Sequence, residues 1–326
     1  MSMSKRERLA AAIRGDATDR PLAALWRHFP VDDRDPLELA RSAAAFQQAY
    51  DWDFVKLTPS SHYSVADWGV EVAYQGDPEG TSAYLRRPVS RAEDWPRLQP
   101  LDVRSGALAQ ELEAIRHTRA LLGPDVPLLA TVFSPLAQAR HLAPPGFEIV
   151  TLRRHRAALE AALETITATT IAFVQAALAA GADGIFYAVQ HASAELLSAE
   201  EYRSLCRPYD LRILEAAAPG TFNLLHLHGR HTYLELVSDY PVHALNWHDR
   251  ETGPALAEGA RRFPGLVVGG LSQQDLLTGT PAQVRALAQQ ALASMGGRRV
   301  CLATGCVLLT HTPWSNIRAL RAVAQG

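Results

Sequence analysis

Short apolar runs alternate along this chain with longer, alanine-rich amphipathic stretches. Residues 21–26, 54–57, 126–133, 184–189, 222–227, 242–247, 265–269 and 300–303 are brief and apolar, and they read as buried strands. Between them, residues 36–50, 107–122, 152–180, 232–238, 253–262, 281–295 and 313–324 predict helices, and Ser198-Ala199-Glu200-Glu201 is a capping-box start for a further one. Residues 70–87 depart from the pattern: the turn Gly76-Asp77-Pro78-Glu79-Gly80 predicts a small β-hairpin inserted after the second strand. The alternation makes about eight strand–helix units, which predicts an α/β fold, a single (β/α)8 TIM barrel. No Pro/Ser/Gly-rich linker divides residues 1–326, so one domain is expected, and the strands are too unlike one another to be a sequence repeat.

Composition narrows the class. Apolar residues make up 48% of the chain, ample for a large core. The net charge is −2 with both signs interspersed, so neither a nucleic acid nor a membrane surface is an expected partner. No run reads as a membrane span of about 20 apolar residues, and the N-terminal Ser2-Met3-Ser4-Lys5-Arg6-Glu7-Arg8 is too polar for a signal peptide. The 3 cysteines form an odd set and read as reduced thiols. The expectation is a cytoplasmic enzyme acting on a small molecule.

A barrel of this kind carries its chemistry at the C-terminal ends of its strands. There the chain places Arg27 and His28, Lys56, Tyr187 with Gln190 and His191, His226 and His228, His248 with Asp249, and Cys306. His226 and His228 are two apart, so on a strand they share a face. With the thiolate of Cys306 they make three metal ligands, the number a catalytic zinc keeps while one position stays open. His248 and Asp249 read as a fourth ligand, a general base, a carboxylate orienting an imidazole, or a solvated loop. With His191 they are the candidate catalytic groups. Arg27, His28, Lys56, Tyr187 and Gln190 are candidate substrate contacts. Cys301 lies on the opposite strand face from Cys306 if the strand stays regular and, like Cys206, reads as packing. There is no dinucleotide fingerprint and no phosphate loop.

Several segments resemble the uroporphyrinogen decarboxylase superfamily, which includes zinc-dependent methyltransferases that move methyl groups between corrinoids and thiols. They are Lys5-Arg6-Glu7-Arg8-Leu9 through Gly15 with Asp19-Arg20-Pro21, Trp68-Gly69-Val70-Glu71, His243 through Trp247, Val268 through Ser272, Gly279-Thr280-Pro281 and Thr312 through Ile317. The resemblance implies zinc held by a His-x-Cys-Gly segment and a distant Cys. His226, Gly229 and Cys306 match that pattern, and His228 stands where a cysteine is expected. One thiolate with two neutral imidazoles leaves the ion net positive, a stronger Lewis acid that leaves a bound thiolate less nucleophilic. The resemblance also implies a corrinoid donor on a separate protein, and a homodimer. For the decarboxylase branch it implies a metal-free, carboxylate-binding pocket. Here Arg27 has no second arginine beside it, and Leu57-Thr58-Pro59, Phe133 through Arg140 and Gly305-Cys306-Val307 lack that branch's acid, tyrosine and histidine. The expected function is therefore zinc-dependent methyl transfer between a corrinoid or other donor and a thiol. A metal-free lyase acting on a carboxylated substrate is the alternative.

Overall fold

In a computed structural model describing residues 2–325, eight strands form one curled, TIM-barrel-like parallel sheet. They are β1 (Leu22–Ala23), β2 (Val55–Leu57), β5 (Leu128–Phe133), β6 (Gly184–Val189), β7 (Leu224–Leu227), β8 (Ala244–Trp247), β9 (Leu266–Leu271) and β10 (Val300–Thr304), in the order β1-β10-β9-β8-β7-β6-β5-β2. The remaining strands, β3 (Glu71–Ala73) and β4 (Ala83–Arg86), pair antiparallel with each other.

The two ends of the sheet meet at Asp53. Its backbone N–H donates to Ala23 O at 3.0 Å, and its carboxylate accepts from Ala23 N at 2.9 Å. The same carboxylate, with no solvent exposure, accepts from Arg8 and Arg20. One side chain thus ties the first helix (Lys5–Arg14), β1 and the approach to β2 together.

Both faces of the strands are buried, as expected of a parallel sheet wrapped by helices. Leu22, Ala24, Phe54, Leu129, Phe186, Leu224, Ala244, Val268, Cys301 and Ala303 pack as one cluster inside the curl. Leu25, Val55, Leu57, Ile185, Tyr187, Leu225, Leu227, Leu245, Trp247 and Leu302 pack outward against the helices. Alternate residues therefore face the interior, with a period of two.

Several elements differ from the sequence reading. Residues 232–238 make only a single 3-10 turn, Leu234–Leu236, because the connection returns at once to β8. A helix not anticipated, Pro135–Leu142, follows β5, with Pro135 preset in its first turn. The long helix starts at Arg156, since His155 breaks it from Phe147–Arg154. That helix, Arg156–Ala179, is long and apolar enough to cross a membrane by length and composition, contrary to the reading above. It is a core helix: Leu159, Leu163, Ile166 and Val174 are fully buried, while Glu160 and Glu164 on its outer face pair with Arg156 and Arg212.

The chain between β3 and β4 lies across the sheet's C-terminal end. Pro78 O accepts from Thr310 N at 2.7 Å, and Gln273 Nε2 reaches Glu79 Oε1 at 3.3 Å. At Gly80 (φ 86°) a Cβ would stand 2.6 Å from the Cβ of His28, so only glycine allows this approach.

Candidate metal centre

β7 delivers His226 and His228 to the interior side, because Leu224 on the same parity packs inside the curl. β8 runs beside it in register, His226 opposite Asn246, so Asn246 and His248 face the same way. β10 ends at Thr304, whose Oγ1 donates to Cys306 O at 2.5 Å. Gly305 then passes so close to β8 that a Cβ would lie 2.9 Å from His248 Cα. This turn breaks the strand alternation, so Cys301 and Cys306 both join the interior cluster rather than opposite faces.

The result is a cluster of His226, His228, His248 and Cys306 whose ligand atoms all lie within 4.8 Å of one another. Cys306 Sγ is 3.7 Å from His228 Nδ1. Asn246 donates through Nδ2 to Val268 O and Thr304 O, so its Oδ1 must accept, at 2.6 Å, from His226 Nδ1–H. His226 is thereby held as the tautomer whose Nε2 lone pair is free, the arrangement that orients metal-bound imidazoles. The buried Nε2 of His248 has no partner.

Electrostatics favour neutral imidazoles. Burial first, then His228 and His248, hold His226 well below the ordinary histidine range, and burial and His248 bring His228 down to about 4. Burial pushes the Cys306 thiol up to about 12, so the bare pocket disfavours thiolate. Three lone-pair nitrogens and one thiol that needs a neighbouring cation to ionise form a donor set that suits zinc. His226, His228 and Cys306 would hold the ion, and His248 faces the same point.

A cavity of about 220 Å³ opens onto the cluster and is lined by His28, Lys56, Gln190, His226, His228 and Cys306 among others. Lys56 is buried; its Nζ lies 4.8 Å from the Phe186 ring centre and donates to Thr58 Oγ1 at 3.2 Å. Burial lowers its pKa to about 7. His28 is brought down to about 3, mainly by burial and then by Lys56.

Five expected site residues fall outside this lining: His248, which still faces the cluster, and four that do not. Arg27 follows the outward parity of Leu25, and its guanidinium donates to Thr310 O at 2.9 Å. Tyr187 points outward and donates to Asp210 Oδ1 at 2.6 Å, where Tyr202 and Tyr240 also converge. His191 is buried behind the wall, with Nε2 3.3 Å from Glu148 Oε1. Asp249 turns outward and accepts from Gly270 N at 3.1 Å, a structural contact rather than one at the cluster.

Sequence reasoning gave no role to Asn246, although its spacing two residues before His248 was a usable signal. It also passed over His141, Tyr84 and Glu79, which line the cavity. The long connections from β5 and the hairpin bring them there, and no local spacing announces that. Asn246→Leu removes the acceptor that sets the His226 tautomer. It is expected to weaken zinc binding about 10- to 100-fold with little loss of helix and sheet signal, checked by competition with a chromogenic chelator.

Fold and cluster together define a TIM-barrel-like protein with a His/Cys constellation at the barrel mouth. The chain belongs to the uroporphyrinogen decarboxylase (URO-D) family, whose model matches residues 4–326. It is 23% identical, over 98% of its length and 97% of the relative's, to methylcobamide:CoM methyltransferase MtbA of Methanosarcina mazei. It is 30% identical over 44% of its length to a uroporphyrinogen decarboxylase of a Mycobacterium species, covering 40% of that protein. A solved methyltransferase structure from Methanosarcina mazei superposes with a TM-score of 0.83 over 99% of both chains at 23% identity, a likeness of fold.

Proposed function

We propose that this chain is a cytoplasmic zinc-dependent methyltransferase that moves a methyl group from a corrinoid carried on a separate protein to a thiol. We further infer that it works as a homodimer. The observation that carries the reading is the convergence of His226, His228, His248 and Cys306, with the His226 tautomer set by Asn246. The full-length similarity to a methylcobamide:CoM methyltransferase supports the choice of donor and acceptor class.

Zinc bound at the cluster would act as a Lewis acid that lowers the pKa of the acceptor thiol toward neutrality. The chain's own residues do the rest. Asn246 keeps the His226 lone pair aimed into the cavity. His248, with its unpartnered Nε2 and Glu251 3.8 Å from its Nδ1, is placed to take the thiol's proton. Phe186, stacked on His226 with ring centres 5.3 Å apart, walls the site on one side. Glu79, Thr81 and Ser82, from the connection between β3 and β4, line the cavity as well. The sulfur lone pair forms the new S–C bond while the corrinoid retains the electron pair of the bond that breaks.

The lyase alternative lacks support in the cavity. Arg27 and His191, the groups it would need, lie outside the lining, and Lys56 is the one lysine or arginine within it. The test is to purify the protein without chelator or His-tag, measure metal by plasma mass spectrometry, and incubate it with methylcobalamin and a panel of thiols. About one zinc per chain is expected, with thioether formation abolished by chelation and restored by zinc. Metal-free protein that cannot be reconstituted would sink the reading.

A further inference from the structure

Beside the barrel mouth lies a second cavity of about 460 Å³, which shares Pro59 and Ser82 with the lining of the site cavity. Its walls come from the first βα connection, the helix Gly106–Leu122 and the hairpin. Glu111, on that helix, is only 5% exposed, and its Oε1 has no hydrogen-bond partner. Asp33 stands in the same wall, half-buried. A buried carboxyl without a donor is costly, since each lost partner exposes the desolvation penalty of the group.

The neighbouring cations do not remove that cost. Arg34 lines the cavity but is exposed, where its field is screened by water and salt. Lys56 lowers the Glu111 pKa only in part, and its own hydrogen bond goes to Thr58. Burial leaves Glu111 up at about 8 and raises Asp33 to about 6, so Glu111 in particular lacks the compensating charge that would hold it ionised.

We propose that this side cavity receives the cationic end of the methyl acceptor, so that the acceptor is a thiol carrying an ammonium group on a short tether. The thiol lies at the His/Cys cluster, and the ammonium donates to Glu111 with Asp33 beside it. This assignment rests on the methyl-transfer reading for its thiol half only. A sulfonate or carboxylate tail, by contrast, would meet two acids and is disfavoured there.

The experiment is calorimetric titration of the zinc-loaded full-length chain at pH 7.5 with 4-aminobutane-1-thiol, 4-hydroxybutane-1-thiol and butylamine. The aminothiol is expected to bind about tenfold or more tightly than the hydroxythiol, the discrimination a charge-assisted contact provides. Glu111→Gln should erase that preference, with zinc content and the melting curve as folding controls. Asp33→Asn, at the cavity's outer wall, should reduce it and serves if Glu111→Gln misfolds. Equal affinity for the two thiols, or a preference that survives both substitutions, would overturn the proposal. The two readings fail separately. Glu111-dependent binding of butylamine to a chain that methylates no thiol keeps the cation site and sinks methyl transfer. Equal methylation of both thiols keeps methyl transfer and sinks the cation site.

Discussion

Cys306→Ala is expected to yield a folded protein that no longer retains stoichiometric zinc and transfers methyl groups more than about 100-fold more slowly. Ligand-supporting contacts alone are worth about 10- to 100-fold in metal affinity, and a direct thiolate ligand is worth more. With a metal bound, Cys306 would supply the cluster's only anionic ligand, and its loss would leave neutral imidazoles alone to hold a dication. Burial already disfavours its thiolate in the bare pocket, so thiolate and metal stabilise each other and leave together. His248→Ala is the informative contrast: zinc should stay, while transfer at neutral pH falls about 100-fold or more, the usual contribution of a positioned proton acceptor. Plasma mass spectrometry and thioether assays read both variants. Full zinc retention by Cys306→Ala would remove the cysteine from the ligand set.

Asp53→Ala is expected to lower the unfolding free energy by about 3–5 kcal/mol, the effect of leaving buried charge uncompensated. Asp53 is wholly buried and accepts from Arg8 Nη1, both Arg20 terminal nitrogens and Ala23 N, each at 2.9 Å. Arg8 keeps Asp19 as a second partner, which limits the loss on that side. Arg20 keeps only Pro21 O and a long contact to Asp51 at 4.0 Å, and the Ala23 amide loses its acceptor. Because the residue also joins the two ends of the eight-stranded sheet, loosening should begin there. Faster amide exchange in β1 and the segment before β2 should precede global unfolding. Urea melts that moved by less than about 1 kcal/mol would show that the sheet closes without this carboxylate.

Much of this fold was readable from spacing. The runs at 184–189 and 300–303 match β6 and β10 within a residue, since fully buried strands are short, apolar and bounded by turns or glycine. The 232–238 stretch failed because helical periodicity over so few residues cannot outweigh a tight return to the next strand. The site divides the same way. His226 and His228 share a face because strands have a period of two, and they meet Cys306 in the folded chain. Arg27, Tyr187, His191 and Asp249 sit beside inward-facing residues and were grouped with them only by proximity in sequence. Each lies one position from His28, Phe186, Gln190 or His248, and one position on a strand is the other face.

By itself the sequence determined the alternation of strands and helices, the pairing of His226 with His228 on one face, and a thiol at the end of the last strand. Those features follow from local periodicity, which neighbouring residues carry whatever the rest of the chain does. Only the tertiary structure decided which strand face is the interior. In a parallel sheet covered by helices both faces are apolar, so alternation separates the faces without saying which one looks into the barrel. That choice brought Asn246 and His248 to the cluster and turned Tyr187 and Asp249 away. It also set the Glu111 cavity beside the mouth, where the helix after β2 and the hairpin meet, segments that touch only once the sheet has curled.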